Sequence, residues 1–107
     1  MAKFEKVLTG DFHQLLSRIE DHILSTSSTA SLEDASDFVT ADARCSVRVF
    51  ERYSYTGGNR LSLSVTLFES NGVIHVSAIS SGGSQALLFK VNTFGEEAFL
   101  DKLKEIL

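Results

Sequence analysis

Cysteine is nearly missing: Cys45 stands alone in 107 residues, and a lone thiol excludes an internal disulfide framework. No apolar run approaches membrane-spanning length. Met1 is followed by Lys3, Glu5 and Lys6 rather than by the apolar core of a signal peptide. The expectation is a soluble, cytoplasmic protein with no membrane partner. Positive charge is in short supply, with ten Lys and Arg against fourteen Asp and Glu and a net charge of −4. Nucleic-acid binding draws most of its affinity from neutralised phosphates, so no nucleic-acid partner is expected. His13, His22 and His75 lack metal-ligand spacing, and no metal is expected. The patterns G-x-x-x-x-G-K-[ST], G-x-G-x-x-G and G-x-S-x-G do not occur. No cofactor is expected, and a non-enzyme is favoured over an enzyme. Proline is absent as well, which decides nothing.

What the chain does have is alternation between residues 43 and 80. Odd positions read Cys45, Val47, Val49, Glu51, Tyr53, and even positions read Arg44, Ser46, Arg48, Phe50, Arg52. The next stretch gives Leu61, Leu63, Val65, Leu67 against Arg60, Ser62, Ser64, Thr66, Phe68. Side chains alternate sides along a strand, so these are two faces. Apolar must meet apolar, so odd pairs with odd; that needs an odd number of loop residues, and Gly57-Gly58-Asn59 supplies three. Tyr55 then pairs near Leu61, and Arg48 faces Phe68. Asn71-Gly72 is the strongest short hairpin signal, because a type I′ turn needs two positive φ values. It pairs Phe68 with His75, Leu67 with Val76 and Val65 with Ala78. On this register Arg48, Phe50, Arg52, Phe68 and His75 share one polar face. That face is either plain solvent surface or the site of an interface or ligand, and these five are the candidate site residues. Cys45 falls on the aliphatic face, as a small buried hydrophobe rather than a nucleophile.

Residues 3–8 read as a short opening strand that Gly10 breaks. Asp11 caps a helix with Gln14 at the capping-box position. Phe12, Leu15, Leu16, Ile19 and Ile23 form its buried stripe. Residues 30–33 read as a short strand and 34–42 as a loop, with Phe38 a candidate anchor on the core. Residues 85–91 are a strand or a helical turn, which periodicity does not resolve. Thr93 reads as the cap of a last helix with Glu96 as its partner, and Phe94, Ala98, Phe99, Leu103 and Ile106 as its buried stripe. Lys102 and Lys104 suit the negative end of its dipole. The order strand, helix, four strands, helix predicts a single α+β domain over residues 1–107. It would be an antiparallel sheet of about five strands with two helices on one face. The layout is similar to one repeat of the TATA-binding-protein fold, a likeness that carries no DNA binding.

A second candidate site centres on Glu51. The register sends its carboxylate inward beside Val65 and Ala78, where it needs a partner or a proton. With Tyr53, Lys90 and the loop Ser80-Ser81-Gly82-Gly83-Ser84 it could form an anion-binding or small catalytic site. Alternatively Glu51 sits near the margin with an Arg partner, or a bulge turns it outward. The arginines Arg44, Arg48, Arg52 and Arg60 read best as cross-strand partners of acids such as Glu33.

The run from Arg48 to Leu63, Arg-Val-Phe-Glu-Arg-Tyr-Ser-Tyr-Thr-Gly-Gly-Asn-Arg-Leu-Ser-Leu, carries a family resemblance. So do Ser80-Ser-Gly-Gly-Ser-Gln85, Asn92-Thr-Phe-Gly-Glu-Glu97 and Ser31-Leu-Glu-Asp34. With these the chain resembles a family of short, mainly Gram-positive bacterial proteins classed as a domain of unknown function. The resemblance implies a small stand-alone bacterial protein in the cytoplasm and transfers no site residues. The resulting expectation is a non-enzymatic binding or self-association module. Its partner would be a second copy in a homodimer, a small ligand or another protein.

Overall fold

Strand β1 (Ala2–Leu8) stops short of Gly10, whose φ of +134° lies where side-chain-bearing residues rarely go. The Asp11 carboxylate then accepts the Gln14 backbone N–H at 2.8 Å, capping helix α1 (Phe12–Ser25). Four residues at helical spacing, Phe12, Leu16, Ile19 and Ile23, are its buried stripe. The chain continues through β2 (Ser31–Val39), β3 (Ala43–Tyr53), β4 (Arg60–Ser70), β5 (Val73–Gly82) and helix α2 (Phe89–Lys104). This computed structural model describes residues 1–53, 59–82 and 89–107, with 89–94 as backbone alone. Among the described residues the strands form one five-stranded antiparallel sheet in the order β1-β5-β4-β3-β2. The buried residues of both helices and of one sheet face belong to a single core cluster.

The two hairpins behave differently. Asn71 and Gly72 have φ of +55° and +77°, as a type I′ turn demands. They pair Phe68 with His75, Leu67 with Val76 and Val65 with Ala78, the register expected. The β3–β4 register is not the expected one. Tyr53 pairs with Arg60, leaving residues 54–59, an even number, between them. Tyr55, Gly57 and Gly58, on which the expected loop rested, lie outside the described residues. Even positions of β3 therefore share a face with odd positions of β4: Phe50 pairs with Leu63 and Arg48 with Val65. Electrostatics gives the reason. The expected register would entomb Glu51 among aliphatics, at a high desolvation cost. The observed one places Glu51 beside Arg60, with which it forms an ion pair. The buried arginines instead find partners on α1, β2 and α2.

Two further elements differ from the sequence reading. β2 runs to Val39 instead of ending at Glu33, pairing along β3 with a register shift between Leu32 and Asp34. Residues 32–39 are exposed on both faces, so no apolar alternation marks them as strand. Phe38 is accordingly 64% exposed and anchors nothing to the core. Helix α2 begins at Phe89, so Thr93 lies within it and does not cap it. Residues 89–91 of the ambiguous 85–91 segment are helical. Glu96 is buried and pairs with the ammonium of Met1 rather than closing a capping box. Phe99, Leu100 and Leu103 are the fully buried residues of this helix among those described, and Ile106 packs against the same core. Phe94 has no described side chain. No helix among the described residues is long and apolar enough to cross a membrane.

Candidate binding surface

The register separates the five candidate residues. Arg48, Phe50 and Arg52 lie on the covered face, at 8%, 0% and 2% exposure, while Phe68 and His75 lie on the opposite, open face. They do not form one surface. Phe50 is a core residue. Arg48 joins three elements: its Nε donates to Glu20 of α1 at 2.6 Å, and its Nη1 donates to Asp37 of β2 at 3.0 Å and to the Val47 carbonyl at 3.0 Å. The Ser46 hydroxyl donates to the same Asp37 carboxylate at 2.6 Å. That bond, followed by the one from Arg48, holds the Asp37 carboxyl below its ordinary pKa. Burial works against the Arg48 charge, but the bonds to Glu20 and Asp37 outweigh it and leave the guanidinium pKa raised. The Arg52 guanidinium lies 4.5 Å from the centroid of the Phe99 ring, a cation–π contact to α2. Both arginines hold helices to sheet and are not offered to a ligand.

The open face is built by rows of opposed residues. One row crosses all five strands as Val7, His75, Phe68, Cys45 and Phe38. The next reads Glu5, Ser77, Thr66, Val47, Ser36, and the third Lys3, Ile79, Ser64, Val49, Asp34. Phe68 and Ile79 are about two-fifths exposed, Val7 60% and Phe38 64%. The Phe68 and His75 rings stand 6.3 Å apart, tilted at 43°. A hollow of about 370 Å³ opens between β1 and β4, walled by Val7, Phe68, His75, Glu5, Thr66 and Ser77. Cys45 is half-buried on this face rather than enclosed in the core. Val7, Cys45, Val47 and Phe38 are members of the surface that sequence reasoning missed. The β3 parity hid two of them, and the featureless pattern of β2 hid Phe38.

The second candidate site is partly assembled. Ser81, Ser62 and Glu51 fall in one row, and the Ser62 and Ser81 hydroxyls are 2.8 Å apart. Glu51 points to the open face and not inward. Its carboxylate is held by Arg60, which also reaches Glu33 at 3.4 Å and lies 5.9 Å from the Tyr53 ring centroid. Gly82 ends β5. Gly83 and Ser84 lie outside the described residues, as does the Lys90 side chain. A polar cleft of about 450 Å³ opens elsewhere, between the β2–β3 and β4–β5 turns. Its cation, Arg44, is neutralised by Glu69 at 2.9 Å, donates to His13 Nε2 at 2.8 Å and stacks 5.2 Å from the Phe12 centroid. The cleft therefore has no spare positive group on Arg44. Among the described residues no three His, Cys, Asp or Glu side chains cluster as a metal site.

Fold and surface define a small α+β protein whose antiparallel sheet carries helices on its core side and an apolar row on its other side. The chain belongs to the family of unknown function DUF6054, whose model matches residues 1–107. No curated protein matches it.

Proposed function

We propose that this protein is a non-enzymatic recognition module of the bacterial cytoplasm, and that it binds through the open face of its sheet. One observation carries the reading: a largely apolar row, from Val7 through His75, Phe68 and half-buried Cys45 to Phe38, crosses every strand of the sheet on its open face. Single exposed apolar side chains are ordinary, but a contiguous set with a hollow beside it marks an interaction surface. The groups on this face suit contact better than chemistry. Glu51 is tied to Arg60, and the His75 ring stands against the Phe68 ring. A single thiol on this face suits a reducing compartment.

Radical footprinting of Phe38 and Phe68, compared between living cells and dilute purified protein, tests the reading. Lower labelling of both rings in the cell is the expected result. Equal labelling in both settings would overturn it.

A further inference from the structure

We infer that the occupant of the open face is a second copy of this chain, stacked sheet on sheet about a two-fold axis that runs along β4. The inference rests on the reading above and names its partner. β4 is the middle strand of the sheet order β1-β5-β4-β3-β2. A two-fold along a central strand lays each row against the same row of the partner in reverse, and such a contact must be self-complementary. The first row meets this demand. Phe68 would meet the partner's Phe68 on the axis, and Phe38 at one end would meet the region of the partner's Val7 at the other. Phe38 and Val7, the two ends of that row, are 64% and 60% exposed, and a hollow of about 370 Å³ opens over β5 beside Val7. Each copy thus offers an exposed apolar side chain at either end of the row, two strands from the axis, and the two-fold sets one against the other.

Charge fits the same operator. The third row ends in Lys3 on β1 and Asp34 on β2. Reversal sets Lys3 against the partner's Asp34, and Asp34 against the partner's Lys3. The alternative axis, across the strands, would instead set β1 against β1 and β2 against β2, keeping Lys3 and Asp34 apart. Area suffices as well. Five strands at about 4.8 Å spacing and four rows at about 6.8 Å give a face of roughly 24 by 27 Å. Two such faces bury about 1,300 Å², just inside the range of specific interfaces. An interface of this size and mixed polarity is expected to dissociate on the order of micromolar concentration.

Sedimentation of the full chain between about 1 and 500 µM tests the proposal. The wild type is expected to pass from monomer to dimer. Phe38→Asp should hold it monomeric and still folded, since the ring is exposed in the monomer. Lys3→Asp and Asp34→Lys should each weaken the dimer about threefold to tenfold, as rim charges do. The double variant should recover affinity. A dimer indifferent to Phe38→Asp, or a double variant weaker than both singles, overturns the proposed axis. A wild type monomeric throughout removes the second copy. If Phe38 and Phe68 are still protected in cells, the face is a surface for another protein. If they are not, the recognition reading falls too.

Discussion

Truncating each of two neighbours, Val49 and Phe50, tests the register on which the surface depends. Phe50 is 0% exposed and opposes Leu63 in the core, whereas Val49 is half-buried on the open face opposite Ser64. Truncating a fully buried Phe to Ala costs about 3–5 kcal/mol, because the cavity adds to the lost transfer energy. Truncating Val49 to Ala removes two carbons that are already partly wet and some strand propensity, about 0.5–1 kcal/mol. A domain of this size has a total stability of about 5–15 kcal/mol, so the first change removes a large share of it and the second does not. At about 4–8 °C per kcal/mol, Phe50→Ala should lower Tm by about 12 °C or more, and Val49→Ala by less than about 8 °C. Urea and thermal melts followed by circular dichroism, all at one protein concentration so that self-association weighs on both variants alike, read both values. Equal losses, or a larger loss for Val49→Ala, would refute the argument. The aliphatic set of β3 would then be the buried one, and Cys45 and Val47 would leave the open face.

The same melts check three further expectations. Arg48→Ala should cost about 2 kcal/mol, short of a fully enclosed pair, because the side chains of Glu20 and Asp37 are 28% and 55% exposed and can rehydrate. A loss below about 0.5 kcal/mol would place Arg48 in solvent. Gly72→Ala, at a φ of +77°, should cost about 1 kcal/mol through backbone strain, although no neighbouring atom would obstruct the new methyl group; no loss would argue against the type I′ turn. Finally, the Asp37 carboxyl has a lowered pKa in the folded protein, so its stabilisation is complete above the unfolded carboxylate pKa of about 4 and is lost as pH falls through the folded value. The side chain is more than half exposed, which keeps the effect below about 1 kcal/mol. Lowering the pH from 5 to 3 should shift the urea midpoint of the wild type more than that of Asp37→Asn, and identical shifts would remove Asp37 from the account.

Elements with local chemistry could be read from the sequence. The Asp11 cap, the stripe of α1, the Asn71-Gly72 turn and the β4–β5 register each follow from a few adjacent residues, and the structure shows all of them. Elements whose signal is non-local could not. β2 is held by its ladder to β3 and by Asp37 reaching Arg48 and Ser46, and no periodicity records such a strand. The start of α2 was hidden because Thr93 and Glu96 imitate a capping box, while Glu96 is engaged by Met1 at the other end of the sequence.

The β3 register shows why the candidate surface was only half legible. Hydropathy alone assigns its parity by the rule that the strand face with the valines goes inward. That rule counts what each side chain loses on leaving water and omits what it finds afterwards. Arg48 finds Glu20 and Asp37, and Arg52 finds the Phe99 ring, so two arginines and Phe50 are buried together. Glu51 would have found neither in the core. Pairing thus decided the face, and the partners came from α1, β2 and α2, too far along the chain for a strand pattern to reveal. With the arginines turned inward, the open face exchanges positive charge for Cys45, Val47 and Val49, becoming more apolar than the sequence suggested. A face that gains apolar groups and retains Lys3 and Asp34 at opposite edges is better suited to another sheet than to an anion.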